Sequence, residues 1–461
     1  MNKIPQFVCA DETLTLAYKL AIGTVAENVN LCKAGFLRED RPCLMAGVDY
    51  PTPWTRDAAI NIHNAAALLA PKVSKNTLLS VLKKQNGKTL IGGEYWDKII
   101  WAIGVKKYLE FKDDAPFLKL AAEALSNTFK ELEENEFDSG LNLFRGGAVY
   151  GDGISAYPDK YKSPVFSCGI IDFPGEHPKE RHPKGVGVPC FSLSTNCVYF
   201  KAYEILAEFK KKLGSENKAE LLKAKKMKEA VNKHFYNEAK GTYDYLSGEC
   251  DYQEGMGISF ACLFGIADKE KSLSVIKNAV ITNAGIPCVY PAFERYTKTG
   301  GYARHSGTVW PHIQGFFALA ALKAGDADKF EFEFKTLAKH AVRDLQFTEI
   351  YHPDSGMPYG GMQEWREFPG EDRIGYWESR RCQTWSATAY LSMVYEGIFG
   401  MKLENGVLSV TPYLPQGIDK AGLKNLYIRG KKIDIEITRS GIGKTISVKL
   451  DSQSKKIKIT F

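Results

Sequence analysis

Apolar positions in this chain recur at helical spacing, in segments joined by connections of two very different lengths. By the i, i+3, i+4 periodicity the segments are 11–27, 57–70, 74–84, 97–111, 115–135, 191–212, 216–235, 254–266, 268–281, 305–324, 326–345 and 379–399. The connections at 71–73, 112–114, 213–215, 267 and 325 are short. Those at 28–56, 85–96, 136–190, 236–253, 282–304 and 346–378 are long, and they are rich in Trp, Tyr, Gly and carboxylates. Loops of that length in a compact domain usually carry function or are disordered, and this composition favours ordered, ligand-facing loops. Because short and long alternate, twelve helices make six hairpins with every long loop at one end. Helices entered from long loops are apolar and Ala-rich (AAINIHNAAALLA, TWSATAYLSMVYEGIFG), which predicts an inner ring inside a Lys- and Glu-rich outer one. The expected fold is an all-α (α/α)6 toroid over residues 1–400. From Gly400 the period falls to two (LSVTP, IDIEITR, TISVKL, KIKITF), so 401–461 is expected to form a small antiparallel β domain.

Composition narrows the function classes. The chain has 461 residues, 44% hydrophobic and 25% charged, the profile of an ordinary globular protein. Its formal charge of +7 is spread over helix surfaces with no arginine-rich run among aromatics, which argues against nucleic acid as a partner. No window approaches the roughly 20 apolar residues of a membrane span. Met1 to Asp11 lacks the basic-then-apolar plan of a secretory signal, so the chain as written is expected in the cytoplasm. A periplasmic or secreted chain trimmed of its leader would look the same. The ten cysteines are dispersed without a CxxC pair and are read as reduced, buried thiols. His305 and His312 stand seven apart with no Cys or carboxylate at ligand spacing, so neither a metal nor another cofactor is expected.

Six clusters then meet at one rim: PWTRD, GGEYWD, GGAVYGDG, DYQEG, GTVWPH and GGMQEW. A sugar has a hydroxyl rim and C–H faces, so its site needs paired charged groups together with aromatic plates. Arg56 and Asp57 supply such a pair and Trp54 a floor; equally, Asp57 can cap a helix with Arg56 as its partner. In GGAVYGDG the glycines leave space around Asp152, flanked by Tyr150 and Tyr157. An aromatic, partly dry setting raises a carboxyl pKa and suits a proton donor, whereas a plain Asp turn is the alternative. Trp96 is expected to line the pocket and Asp97 to contact sugar or cap its helix. Glu254 has the same two readings, substrate contact or helix-dipole partner. His305 and His312 are candidate donors to sugar hydroxyls, beside Trp310 and Trp365.

These motifs resemble those of the six-hairpin toroid glycoside hydrolases. YPTPWTRDAAI resembles the segment by which glucoamylase-type enzymes hold a terminal glucose, which implies that Arg56 and Asp57 grip the sugar. The Asp152 loop is similar to the acid-bearing loop of glucoamylases and debranching amylo-glucosidases, and implies Asp152 as general acid. GGMQEW followed by RCQTWSA resembles the pattern in which a Glu about twenty residues before the last inner helix is the general base; Glu364 lies 21 residues before Trp385. Glu349 in TEIYHPDSG competes, because a similar run occurs in related α-glucosidases. GTVWPH matches a debranching-family segment, and YWD resembles the Trp-Asp pair of trehalases and processing α-glucosidases. NGVLSVTPYLP resembles the small sandwich that closes rhamnosidases and disaccharide phosphorylases. The chain departs from glucoamylases in lacking their paired acidic residues at the acid position, and it lacks the large N-terminal β-sandwich of many relatives. The resemblance implies an inverting, exo-acting hydrolase of an oligosaccharide ending in an α-linked glucose-type residue, without a cofactor. A rhamnosidase, an inverting phosphorylase using the RHSGT run, and a non-catalytic sugar-binding protein are the alternatives.

Overall fold

The computed structural model describes residues 4–163, 167–364, 374–440, 445–452 and 459–460. Its long helices are α1 (Glu12–Glu27), α2 (55–69), α3 (Pro71–Ser80), α4 (Trp101–Phe111), α5 (Ala115–Asn135), α6 (Leu193–Lys212), α7 (Lys218–Phe235), α8 (Gly255–Phe264), α9 (Lys269–Asn278), α10 (Pro311–Ala324), α11 (Ala327–Asp344) and α12 (384–398). α2 and α12 each contain a π-helical stretch, Ile62–Ala66 and Met393–Ile398. α2 packs on α4, α4 on α6, α6 on α8, α8 on α10, α10 on α12, and α12 back on α2. Six even-numbered helices thus close an inner ring with the odd-numbered ones outside it, the (α/α)6 toroid expected from the alternating connections.

Local chemistry separates the two rings. Four outer helices begin at an aspartate whose carboxylate accepts a backbone N–H three residues on: Asp11, Asp114, Asp268 and Asp326. Among the described residues, no inner helix has a side-chain cap of this kind at Trp54, Ile100, Ser192, Glu254, Trp310 or Gln383. These N-termini all lie at the end where the long loops gather. Gly265 and Gly325 close α8 and α10 with φ of 81° and 94°, a left-handed conformation that lets the chain reverse at once into an outer helix. Several inner helices begin later than the periodicity predicts, α10 at Pro311 and α12 at Thr384, because the apolar residues ahead of them belong to loops packed over the ring.

Beyond the toroid an antiparallel sheet has the order β1 (Gln6–Cys9), β4 (Lys420–Ile428), β5 (Lys431–Ser440), β6 (Thr445–Ser452). A second sheet holds β2 (Met401–Glu404), β3 (Val407–Val410) and β7 (Ile459–Thr460). β1 pairs Gln6 with Lys424 and Val8 with Gly422, tying the start of the chain to its last third. A four-residue strand is too short to announce itself by alternation. No helix among the described residues is long and apolar enough to cross a membrane.

Candidate active site

Residues from the long loops and the first turns of inner helices enclose a cavity of about 280 Å³. Asp152 lines one wall. Its loop is held by Tyr157, whose hydroxyl donates to the Gly151 carbonyl (2.5 Å) and accepts from the Ala148 N–H (2.9 Å). The Asp152 carbonyl in turn accepts from the Ile170 N–H (2.9 Å). The carboxylate has two long contacts, Oδ2 to Arg56 Nη2 at 3.4 Å and Oδ1 to His305 Nε2 at 3.5 Å, and 49% of the side chain remains accessible. Burial alone would raise its pKa, but Arg56, His305 and Arg304 together hold it below the usual carboxylate value. The expected upward shift is therefore overturned. Tyr150 and Tyr157 spend their hydroxyls on the Cys288 and Gly151 carbonyls, while two guanidiniums act on the acid.

His305 stacks on Trp310 (5.0 Å between centroids, 18°) with Nδ1 3.0 Å from Ser155 Oγ. The Ser155 hydroxyl also lies 3.3 Å from Gln363 Oε1. Burial keeps His305 neutral, with its pKa lowered to about 3. A neutral ring carries one proton and an ionised Asp152 only accepts, so a hydrogen bond between them needs that proton on Nε2, which leaves Nδ1 to accept from the Ser155 hydroxyl. Gly153 permits this packing: a Cβ there would stand 2.5 Å from Gln363 Oε1 and 2.7 Å from His305 Nδ1.

Glu349 lines the cavity too. Arg304 Nη2 donates to its Oε1 (2.8 Å) and the Arg380 backbone N–H to its Oε2 (3.3 Å). Arg304 is itself set by the rings of Trp310 and Trp377, 5.3 and 5.7 Å away, and by the Gly360 carbonyl (3.1 Å).

Glu364 does not line the cavity, a correction to the expectation that it faces Asp152. Strand Met362–Glu364 pairs with Ile374–Tyr376, and adjacent side chains in a strand point to opposite faces. Gln363 takes the cavity face, which turns Glu364 the other way. There it is fully buried, bonded by Arg295 Nε (3.2 Å) and the Tyr296 hydroxyl (2.5 Å). Arg295 also grips Asp159 (3.0 Å) and the Tyr157 and Ile154 carbonyls (2.7 and 3.0 Å). Glu364 thus braces the Asp152 loop from behind.

At the start of α2, Arg56 spans Asp97 (3.4 Å), Asp152 and the Val149 carbonyl (3.2 Å). Asp57 lines the cavity with a buried Oδ2 that has no partner among the described residues, and burial raises its pKa to about 7. Trp54 stands at the rim, 46% exposed, against Tyr50. Tyr150, His305 and Trp310 line the cavity as expected. Four other expected contacts do not. Trp96 is sealed in the core, and Asp97 sits behind Arg56 with its pKa pushed by burial to about 8. Glu254 accepts the Ser194 N–H (3.0 Å) at the start of α6, with burial taking its pKa to about 8. His312 stacks on Trp385 (4.2 Å) in the interior, and burial keeps it neutral. Trp365 lies outside the described residues.

The cavity is also lined by residues that periodicity and motifs did not single out, two of them inside the clusters (Glu94 and Gln363) and five outside: Tyr50, Arg304, Trp377, Gln383 and Trp385. Most stand within a few residues of one that was singled out, Glu94 in GGEYWD and Gln363 in GGMQEW. Gln383 Nε2 and Trp385 Nε1 are buried without hydrogen-bond partners among the described residues, like Asp57 Oδ2. Buried polar groups left unspent on an aromatic-walled cavity suit a polyhydroxylated ligand.

A family model described as the mannosylglycerate hydrolase MGH1-like glycoside hydrolase domain matches residues 50–386, and one for the C-terminal domain of glycosyl hydrolase family 65 matches 401–460. Among solved structures, a sialidase is similar over 97% of this chain and 40% of its own (13% identity, TM-score 0.68). A GH78-family rhamnosidase from a Bacillus species is similar over 99% and 42% (15% identity, TM-score 0.61). The GH63 mannosylglycerate hydrolase of Thermus thermophilus, solved with Tris and D-glycerate, is similar over 82% of this chain and 100% of its own (13% identity, TM-score 0.58). The chain thus spans about two fifths of the length of the first two. No curated protein matches it in sequence.

Proposed function

From the premise that this chain belongs to the mannosylglycerate hydrolase MGH1-like glycoside hydrolase family, we propose that it removes a terminal α-linked, glucose-type sugar with inversion, using Asp152 as acid and Glu349 as base. That it is a glycoside hydrolase follows from the family. The finer reading is carried by one observation: two carboxylates from different long loops, each bonded to its own arginine, line a single cavity.

Asp152 gives its proton to the glycosidic oxygen as the bond to the anomeric carbon breaks. Glu349 takes a proton from a water attacking the opposite face, so the released sugar has the inverted configuration. In the inverting route the carboxyls stand about 6.5–9.5 Å apart to admit that water. Arg304 and the Arg380 N–H orient the base. A sugar filling the cavity excludes solvent from Asp152, which favours the protonated form needed of an acid. Asp57, Gln383 and Trp385 supply hydrogen-bonding groups to hydroxyls, and Trp54 and Trp310 apolar faces. A cavity of this size takes a chain end, hence exo action.

Phosphorolysis is the less favoured reading. In the RHSGT run, Arg304 is engaged by Glu349, Thr308 donates to the Arg304 carbonyl, and Ser306 accepts the Phe293 N–H. A toroid unit of 1–400 with a β unit of 401–461 is our proposed division, amended by β1, which joins the second unit's sheet. The test is hydrolysis of p-nitrophenyl α- and β-glycosides together with maltose, isomaltose, trehalose and an α-mannoside. Proton NMR of the first-formed anomer reads inversion. Full activity in both Asp152→Asn and Glu349→Gln, or retention of configuration, overturns the proposal.

A further inference from the structure

One carboxylate on the cavity wall takes no part in the reaction proposed above. Glu94 follows Gly93 in the loop before α4 and lines the cavity close enough to Asp152 to feel its charge; Trp54 and Ile171, both partly exposed, line the same cavity. Among the described residues no hydrogen bond or ion pair holds its side chain. Burial and the nearby Asp152 raise its pKa, with Asp172 adding to the effect. The cations within reach are committed elsewhere: Arg56 to Asp97, Asp152 and the Val149 carbonyl, and Lys98 to Glu131 (3.3 Å). A proton donor faces the leaving oxygen of its substrate, so the leaving group of a terminal sugar lies between Asp152 and the mouth, beside Glu94.

We infer that Glu94 selects the leaving group, accepting a hydrogen bond from an uncharged, hydroxyl-bearing aglycone and repelling an anionic one. The inference rests on Asp152 being the proton donor, and it sets this chain apart from the Thermus thermophilus relative, whose structure holds D-glycerate. Repulsive groups built against a competing ligand are a general route to specificity.

Binding tests this without requiring cleavage. Hydrolysis-resistant α-thioglycosides of glucose, mannose and rhamnose are prepared with glycerol or glycerate as aglycone and titrated calorimetrically into the wild-type protein and Glu94→Gln. For at least one sugar the wild type is expected to bind the glycerol form about tenfold more tightly, and Glu94→Gln to shrink that ratio to about twofold by gaining affinity for the glycerate form. Equal or preferential binding of the glycerate form by the wild type, an unchanged ratio in Glu94→Gln, or no binding of any pair overturns the inference. Failure of the proposed reaction shows separately, as full activity retained by Asp152→Asn on maltose, isomaltose and trehalose, whose leaving groups need a proton.

Discussion

Asp152 and Glu349, which line one cavity, are held in opposite ways. Asp152 sits on a glycine-rich loop, half accessible, with contacts of 3.4 and 3.5 Å to Arg56 and His305. Glu349 is buried in the long loop after α11, its oxygens fixed by Arg304 at 2.8 Å and by the Arg380 N–H. An acid must change protonation state and follow a departing oxygen, so loose contacts serve it. A base that aims one water gains from a rigid setting. Glu364, a third carboxylate only a short way along the chain, shows what a purely structural one looks like: fully buried, with an arginine and a tyrosine consuming both oxygens.

The difference breaks most sharply in activity. Glu349→Gln should lower kcat about 10³-fold on every substrate, because no leaving group replaces the base. Asp152→Asn should cost about 10³-fold on alkyl glycosides but much less on p-nitrophenyl glycosides, whose leaving group needs no proton. Equal losses on both substrate types would remove the distinction between the two carboxylates.

Glu364→Gln should act on stability. Breaking a buried ion pair costs about 3–5 kcal/mol, read as a lower urea midpoint. Enzyme that remains folded should keep kcat within about tenfold of wild type, since the group never reaches substrate. A 10³-fold loss without destabilisation would return Glu364 to the reacting pair.

A smaller effect concerns His305, which helps hold the Asp152 pKa down. Removing that help in His305→Asn raises the acid's pKa. An acid works only while protonated, so the alkaline limb of the kcat/KM profile should move to higher pH. An unmoved limb would mean that the 3.5 Å contact is packing alone.

The smallest effect is on stability against pH. Asp57, Asp97, Glu254 and Glu333 have pKa values raised by burial to about 7, 8, 8 and 8. Their contribution is full below the unfolded carboxyl pKa and is lost as pH rises through 7–8. Burial lowers His63 and His340 to about 4, so theirs is present above the unfolded His pKa and lost as pH falls toward 4. Above the unfolded His pKa of about 6.5 nothing offsets the carboxyl loss, so the melting temperature should fall between about pH 6.5 and 8. Glu333→Gln, whose side chain meets Gln314 away from the cavity, should flatten the alkaline decline and leave kcat unchanged. An unchanged slope would show that Glu333 is ionised in the fold.

Pattern alone determined the architecture. Helical period, the alternation of short and long connections, and the richer apolar content of every second helix together specify a closed double ring with its loops at one end. They also brought five of the six clusters to one cavity, all but DYQEG, because connectivity decides which end of a hairpin a loop occupies. The tertiary structure decided which member of each cluster faces inward. Gln363 points into the cavity and Glu364 away because they are neighbours in a strand, and Glu94 reaches the cavity while Trp96 and Asp97 pack behind it. It also decided the sign of the Asp152 shift, which depends on Arg56 and Arg304 brought in from segments far away in the chain. Periodicity reports which face of an element is buried; whether a buried side chain meets a cavity, a guanidinium or solid core depends on what the rest of the chain places opposite it.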